Sequence, residues 1–169
     1  MLEIKNVHKT FNKGTINEKK ALNGVNLHLD PGDFVTIIGG NGAGKSTTLN
    51  MVAGVYPIDQ GTIILDGKDI SDLPEYKRAY MLGRVFQDPM MGTAAGMQIE
   101  ENMAMANRRG KKRGLSCGIT KKEKEMFKEK LQMLDLGLED RMTSKVGLLS
   151  GGQRQAMALL MSTMTPIEF

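Results

Sequence analysis

The sequence predicts an α/β fold, and three observations carry that reading. Two early segments, "LEIKNVHKTF" (2–11) and "LNGVNLHLD" (22–30), alternate apolar and polar residues as half-buried strands do. A third, "FVTIIG" (34–39), is apolar without alternation and runs straight into a glycine-rich stretch, "GGNGAGKS" (39–46). Beyond Pro89 the texture turns helical, with apolar residues spaced three and four apart among charged ones.

In the first strand Leu2, Ile4 and Val7 form the apolar set. In the second, Val25, Leu27 and Leu29 face one way and Asn26, His28 and Asp30 the other, which describes a sheet with one wet face. His28 lies on that wet face without a partner at metal-ligand spacing and is given no function. Pro31-Gly32-Asp33 reads as a turn. "FVTIIG" has the pattern of a strand buried on both faces. The helix expected after the glycines carries Leu49, Val52 and Ala53 as its apolar stripe. "GTIILDG" (61–67) and "LGRVF" (82–86) are the next strands, the first closed by Asp66-Gly67 and the second by Gln87-Asp88-Pro89.

Helices are expected over "MQIEENMAMA" (97–106) and "TKKEKEMFKEKLQMLDLG" (120–137). The latter starts at Thr120, with Glu123 completing a capping box. It carries Phe127, Leu131 and Leu134 as a stripe and ends at Gly137. "SGGQRQAMALLMSTM" (150–164) reads as a third helix, largely apolar and so expected to be buried, stopped near Pro166.

At 169 residues the chain is long enough for one domain with a real core. Its 40% hydrophobic and 25% charged residues exclude general disorder. The single cysteine, Cys117, permits no internal disulfide and fits a reduced, intracellular setting. No signal pattern opens the chain, and no apolar run approaches the roughly 18–20 residues that cross a bilayer. A membrane span would therefore have to come from a partner. The net charge of +4 is partly local, in "RRGKKR". Arg108, Arg109, Lys111, Lys112 and Arg113 could meet nucleic acid or an anionic membrane face. The plainer reading is a solvated loop, and no nucleic-acid partner is expected.

"GGNGAGKS" fits the spacing G-x-x-x-x-G-K-[ST], with Gly39, Gly44, Lys45 and Ser46 in register. Glycines let successive backbone N–H groups turn toward phosphate oxygens, and the helix that follows points its positive end to the same place. Lys45 would neutralise β- and γ-phosphate charge, and the Ser46 hydroxyl would reach Mg²⁺. The context of a strand before and a helix after supports nucleotide binding. "LLSGGQRQ" (148–155) repeats the idea with less charge: Ser150, Gly151 and Gly152 would open a helix whose bare N–H groups can face an anion. Taken alone, that pattern is equally compatible with an ordinary serine N-cap.

Together these motifs resemble the nucleotide-binding subunit of ATP-binding cassette (ABC) transporters over essentially the whole chain. The resemblance implies a P-loop NTPase (ABC ATPase) core, incomplete here, with an antiparallel β subdomain and an α-helical subdomain. Residues 1–88 would hold the β part and the Walker A half of the core, 89–148 the helical subdomain, and 149–169 the signature loop with its helix. It implies that ATP is held by Gly39, Asn41, Gly42, Ala43, Gly44, Lys45, Ser46 and Thr47, with Phe11 stacked on adenine; Phe11 also reads as a strand-end packing residue. Mg²⁺ would be held by Ser46 and Gln87, with Gln87 and Lys45 in catalytic roles. Leu149, Ser150, Gly151, Gly152 and Gln153 would serve the nucleotide of a second ATP-binding subunit, head to tail.

A membrane permease would dock around Gln87, placing the protein in the cytoplasm at the inner face of the membrane. The family's pattern continues with an apolar strand ending in Asp-Glu, which supplies a metal-binding aspartate and the catalytic base. The 169 residues hold no such strand, Glu168 is not cast as the base, and the chain reads as a truncated form. Turnover by this stretch alone is therefore not expected. Two competing readings are a soluble ABC-type ATPase acting on DNA or ribosomes and a non-catalytic nucleotide-binding fragment. A small-molecule P-loop kinase would leave "LSGGQ" idle.

Overall fold

The computed structural model describes residues 1–109 and 118–164. Lys111, Lys112, Arg113 and Cys117 lie outside the described residues, as do Pro166 and Glu168. Two compact units divide the chain, Met1–Leu82 and Gly83–Glu168.

The first unit is built on β1 (Leu2–Phe11), β2 (Lys19–Leu29), β3 (Gln60–Leu65) and the short β4 (Lys68–Asp69). All pairings are antiparallel, in the order β2-β1-β3-β4. The expected alternation is present, but β1 changes phase. Ile4 and Val7 are both buried while Lys5 and Asn6 between them are exposed. The register of β1 shifts there against both neighbours, with Asn6 left-handed at φ 49. This bulge turns Val7, Lys9 and Phe11, rather than the even-numbered residues, toward the face begun by Leu2 and Ile4. Gly61 makes it possible. At φ +95 its Cα lies so close to the bulge that a Cβ would sit 2.5 Å from the Lys5 carbonyl oxygen. Helix α1 (Lys45–Val52) lays Thr48 and Met51 inward, Met51 joining a core of Ile4, Val7, Leu22, Ile63, Leu65 and Ile70. Each such burial is worth about 1.5–3 kcal/mol as an upper estimate. The one-turn helix α2 (Glu75–Arg78) closes the unit.

Two expected strands are not strands here. Residues 33–40 form no ladder, and Phe34 and Ile38 are 96% and 89% exposed. A strand buried on both faces needs a neighbour at each edge and a layer on each side, and no described residue supplies them to 34–38. Residues 82–86 likewise form no strand; Val85 is exposed, and Phe86 lies under the Arg84 guanidinium at 4.4 Å. The stripe of α1 is corrected at Leu49, while Val52 packs against the core as expected. Leu49 is exposed because Gly44, Thr48 and Met51, one turn apart, form the face turned to the sheet.

In the second unit α3 (Ile99–Asn107), α4 (Lys121–Gln132) and α5 (Gly151–Thr163) enclose Ile99, Met103, Phe127, Leu131, Leu149 and Met157. A single 3₁₀ turn, Val146–Leu148, leads into α5. The capping box at Thr120 and Glu123 forms as expected. Helix α4 ends at Gln132 rather than Gly137, because Asp135 already takes a left-handed turn at φ 51; Leu134 packs from that turn. Helix α5 is buried on one side only: Met157 and Ala158 face in, and Leu159 is exposed. Arg108 and Arg109 are tied within the unit, Arg108 to Glu123 at 3.2 Å and Arg109 to the Ser162 carbonyl at 3.4 Å.

Candidate functional site

The glycine-rich loop is seated at its end, not its beginning. Gly44 is left-handed at φ +84, and a Cβ there would lie 2.7 Å from Leu22 Cδ2 and 2.8 Å from the Ala21 carbonyl oxygen. Only glycine therefore lets the loop close down on β2. Helix α1 then begins with no side-chain cap and no acidic residue in its first turn. Its first N–H groups thus face outward at the positive end of the helix dipole, an arrangement suited to phosphate. Ser46 is exposed on this first turn and Thr47 is half-buried. Lys45 folds back over the loop, its Nζ donating to the carbonyls of Gly39 at 2.6 Å and Gly40 at 2.8 Å. Asn41, Gly42 and Ala43 form the exposed crest, turned by a bond from the Ala43 N–H to the Gly40 oxygen.

The far end of α1 is anchored by a residue that no motif marks. Arg78 is 2% exposed, and its guanidinium donates to four carbonyls: Met51 at 2.7 Å, Val52 at 3.0 Å, Leu73 at 2.7 Å and Ser71 at 2.9 Å. Two of these carbonyls are the last of α1, so the cation also meets the negative end of the helix. Burial pushes the guanidinium below its ordinary value, while Asp72 and Asp69 pull it back up. The Asp69 carboxyl is itself held below the usual range by hydrogen bonds from the Ser71 hydroxyl and N–H.

Phe11 ends β1 half-buried, with the Tyr56 ring edge-on at 5.2 Å and Lys9 Nζ 5.6 Å from its centroid. Asp59 fixes this strand end, accepting from the Thr10 N–H at 2.6 Å and from Lys9 Nζ at 3.0 Å. Burial pushes the Asp59 carboxyl up, but the Thr10 N–H, Lys9 and the Lys13 charge outweigh it and hold it low.

In the second unit Ser150 and Gln153 cap each other: the Gln153 N–H donates to Ser150 Oγ at 3.3 Å, and the Ser150 N–H to Gln153 Oε1 at 3.1 Å. The serine N-cap is thus what these side chains make here. Gly151 and Gly152 stay open, with nothing within 4 Å of where a Cβ would stand. Leu149 anchors the loop in the core. Arg154, 8% exposed, donates to the carbonyls of Gly147 at 3.1 Å and Leu149 at 3.3 Å and reaches Met90 Sδ. Gln87 is exposed in the segment 83–91. Phe11 and Gly39–Thr47 thus belong to the first unit, and Gln87 and Leu149–Gln153 to the second. Among the described residues no group of three or more His, Cys, Asp or Glu gathers as a metal site, and no helix is long and apolar enough to cross a membrane.

The sequence profile of the ABC transporter family matches residues 22–169. This chain belongs to that family. The tyrosine transport ATP-binding protein of Clostridioides difficile is 38% identical over 164 residues, covering 97% of this chain and 65% of its own length. The xylose/arabinose import ATP-binding protein of Sulfolobus acidocaldarius is 35% identical over 163 residues, covering 94% of this chain and 59% of its own. The chain therefore spans less than two thirds of these ABC relatives. Among solved structures, the dimeric ATP-binding cassette MJ0796 in a post-hydrolysis state with ADP and Pi superposes with a TM-score of 0.79 at 31% identity. That match covers 97% of this chain and 69% of the cassette. The fold is accordingly that of the ABC ATPase cassette, over about two thirds of its extent. Sequence reasoning missed Arg78, Arg154 and the Asp59 clasp. All lie outside the ABC motifs, Arg154 directly after the signature; only burial exposes the roles of the two arginines, and only its hydrogen bonds that of Asp59.

Proposed function

We propose that this chain is the ATP-binding subunit of an ABC transporter, coupling MgATP binding and hydrolysis to solute movement by a separate permease. The observation that carries the reading is the seat of Gly44: it fixes an uncapped helix start at the loop that Lys45 folds over, an arrangement suited to a polyphosphate. Gly39–Thr47 would surround the phosphates, Lys45 would exchange its loop carbonyls for phosphate oxygens, and Phe11 would stack on the base. Bound Mg²⁺ would supply charge neutralisation at the β- and γ-phosphates, and by the family resemblance Ser46 and Gln87 would hold it. The open Gly151-Gly152 pair supports presentation of the signature to a second subunit's nucleotide. Exposed Met91 and Val85 beside Gln87 support a permease contact there, at the inner face of the membrane. The relative from Sulfolobus acidocaldarius, named for import, favours uptake as the direction.

Lys45→Ala is expected to weaken MgATP binding by about 2–3 kcal/mol, the scale of charge-assisted hydrogen bonds. Calorimetric titration checks it, and equal affinity in both proteins would sink the cradle reading. For residues 1–169 alone we assign binding without turnover, since no apolar strand ending in Asp-Glu stands among them to provide a base. Steady-state phosphate release should match that of Lys45→Ala. Release well above that level, lost in the variant, would overturn this assignment.

A further inference from the structure

Lys19 belongs to none of the motifs, yet it reaches the phosphate loop. It opens β2 directly opposite Phe11 in the β1–β2 ladder, so the two side chains leave the same face of the sheet. From there its Nζ extends to Gly42, where a Cβ would lie 3.8 Å from it. One ladder pair thus joins the proposed base site to the crest of the phosphate loop. Lys45 meets the same loop elsewhere, at the Gly39 and Gly40 carbonyls.

No carboxylate offsets this second ammonium among the described residues. The lysines of this unit that form ion pairs are Lys5 with Glu3 and Lys9 with Asp59. The neighbouring Glu18 is turned to the Gly14 N–H at 2.8 Å. An uncompensated, compact ammonium beside N–H groups that already favour an anion recognises charge rather than shape. The alternative is an ordinary solvated lysine, which would contribute nothing measurable to ligand affinity.

We infer that Lys19 is a second cation of the phosphate cradle, contacting the phosphate chain of a nucleotide held against Phe11 and the 39–48 loop. The inference rests on the nucleotide-binding reading above. Because an ammonium responds to charge, its contribution grows with the number of phosphates and fades as salt screens it.

The test is equilibrium binding of ATP and of AMP to the chain and to Lys19→Gln, Lys19→Arg and Lys45→Ala, each at low and high salt. Lys19→Gln should weaken ATP by roughly 10-fold at low salt, on the scale of one exposed charge-assisted contact. The same change should shift AMP by less than about 3-fold and flatten the salt dependence of ATP binding. Lys19→Arg should keep most of the ATP affinity, which separates charge from disturbance of the strand. If Lys45→Ala loses ATP but Lys19→Gln does not, Lys19 is a solvated lysine and the cradle reading stands. Equal loss of ATP and AMP in Lys19→Gln, unrescued by arginine, would also overturn the assignment. If neither variant changes ATP affinity, or the parent chain binds no ATP, both the inference and the reading beneath it fail.

Discussion

Arg78→Ala should unfold at a much lower urea concentration than the parent chain, with a loss of about 3–5 kcal/mol. The guanidinium serves four carbonyls at once, and the methyl group that replaces it serves none. The Met51 carbonyl keeps the Gly54 N–H at 3.1 Å, but each buried acceptor left without a donor costs about 1–3 kcal/mol, and the losses share one cavity and will not add fully. Set against a typical domain stability of about 5–15 kcal/mol, that loss is large. Lysine should recover only part of it, because one ammonium cannot span Met51, Val52, Ser71 and Leu73 together. A shift in the urea midpoint worth less than about 1 kcal/mol would show that water replaces the guanidinium and that the clamp matters little.

Gly44→Ala is the second large effect, expected to cost about 2–5 kcal/mol. The left-handed φ penalises any side chain, and the new Cβ would meet a backbone oxygen of β2, which cannot rotate away. Relief requires lifting the loop from the sheet, so nucleotide affinity should fall together with the denaturation midpoint. Gly40→Ala is the control: nothing lies within 4 Å of its Cβ position, and its stability should change by less than about 0.5 kcal/mol. Equal midpoints for the two variants would mean that the loop is not seated as described.

These two residues show how differently a site can be legible. Gly44 could be read in advance, because phosphate binding on a helix start demands glycine at a fixed distance before Lys45. Arg78 could not. "EYKRAY" is an unremarkable charged turn, and only the placement of α1 and of residues 71–73 around it gives the arginine four partners. The alternating strands were legible for the same local reason as the capping box at Thr120, since one face or one turn determines each. The odd spacing of Ile4 and Val7 concealed a bulge that the alternation rule does not contain. "FVTIIG" read as a buried strand and "LGRVF" as a further one because their composition suits that role, but a strand is a relation between segments. Composition states what would cover it without supplying the cover. For "SGGQ" the residues left capping and anion binding open, and the structure shows why: the side chains cap while the two glycines stay clear.

The uncovered segment 34–38 has a further consequence, one of timing. The antiparallel sheet closes on pairings between residues 2–29 and 60–65, all of which can form while Phe34, Val35, Ile37 and Ile38 remain in water. That segment is β-prone, uncharged and free of proline, the composition that lets one chain pair with another. A nascent polypeptide thus finishes its first sheet with an adhesive, unpaired segment leading into the phosphate loop. Chaperone occupancy and protein concentration then decide whether that segment stays single or pairs with a neighbouring copy.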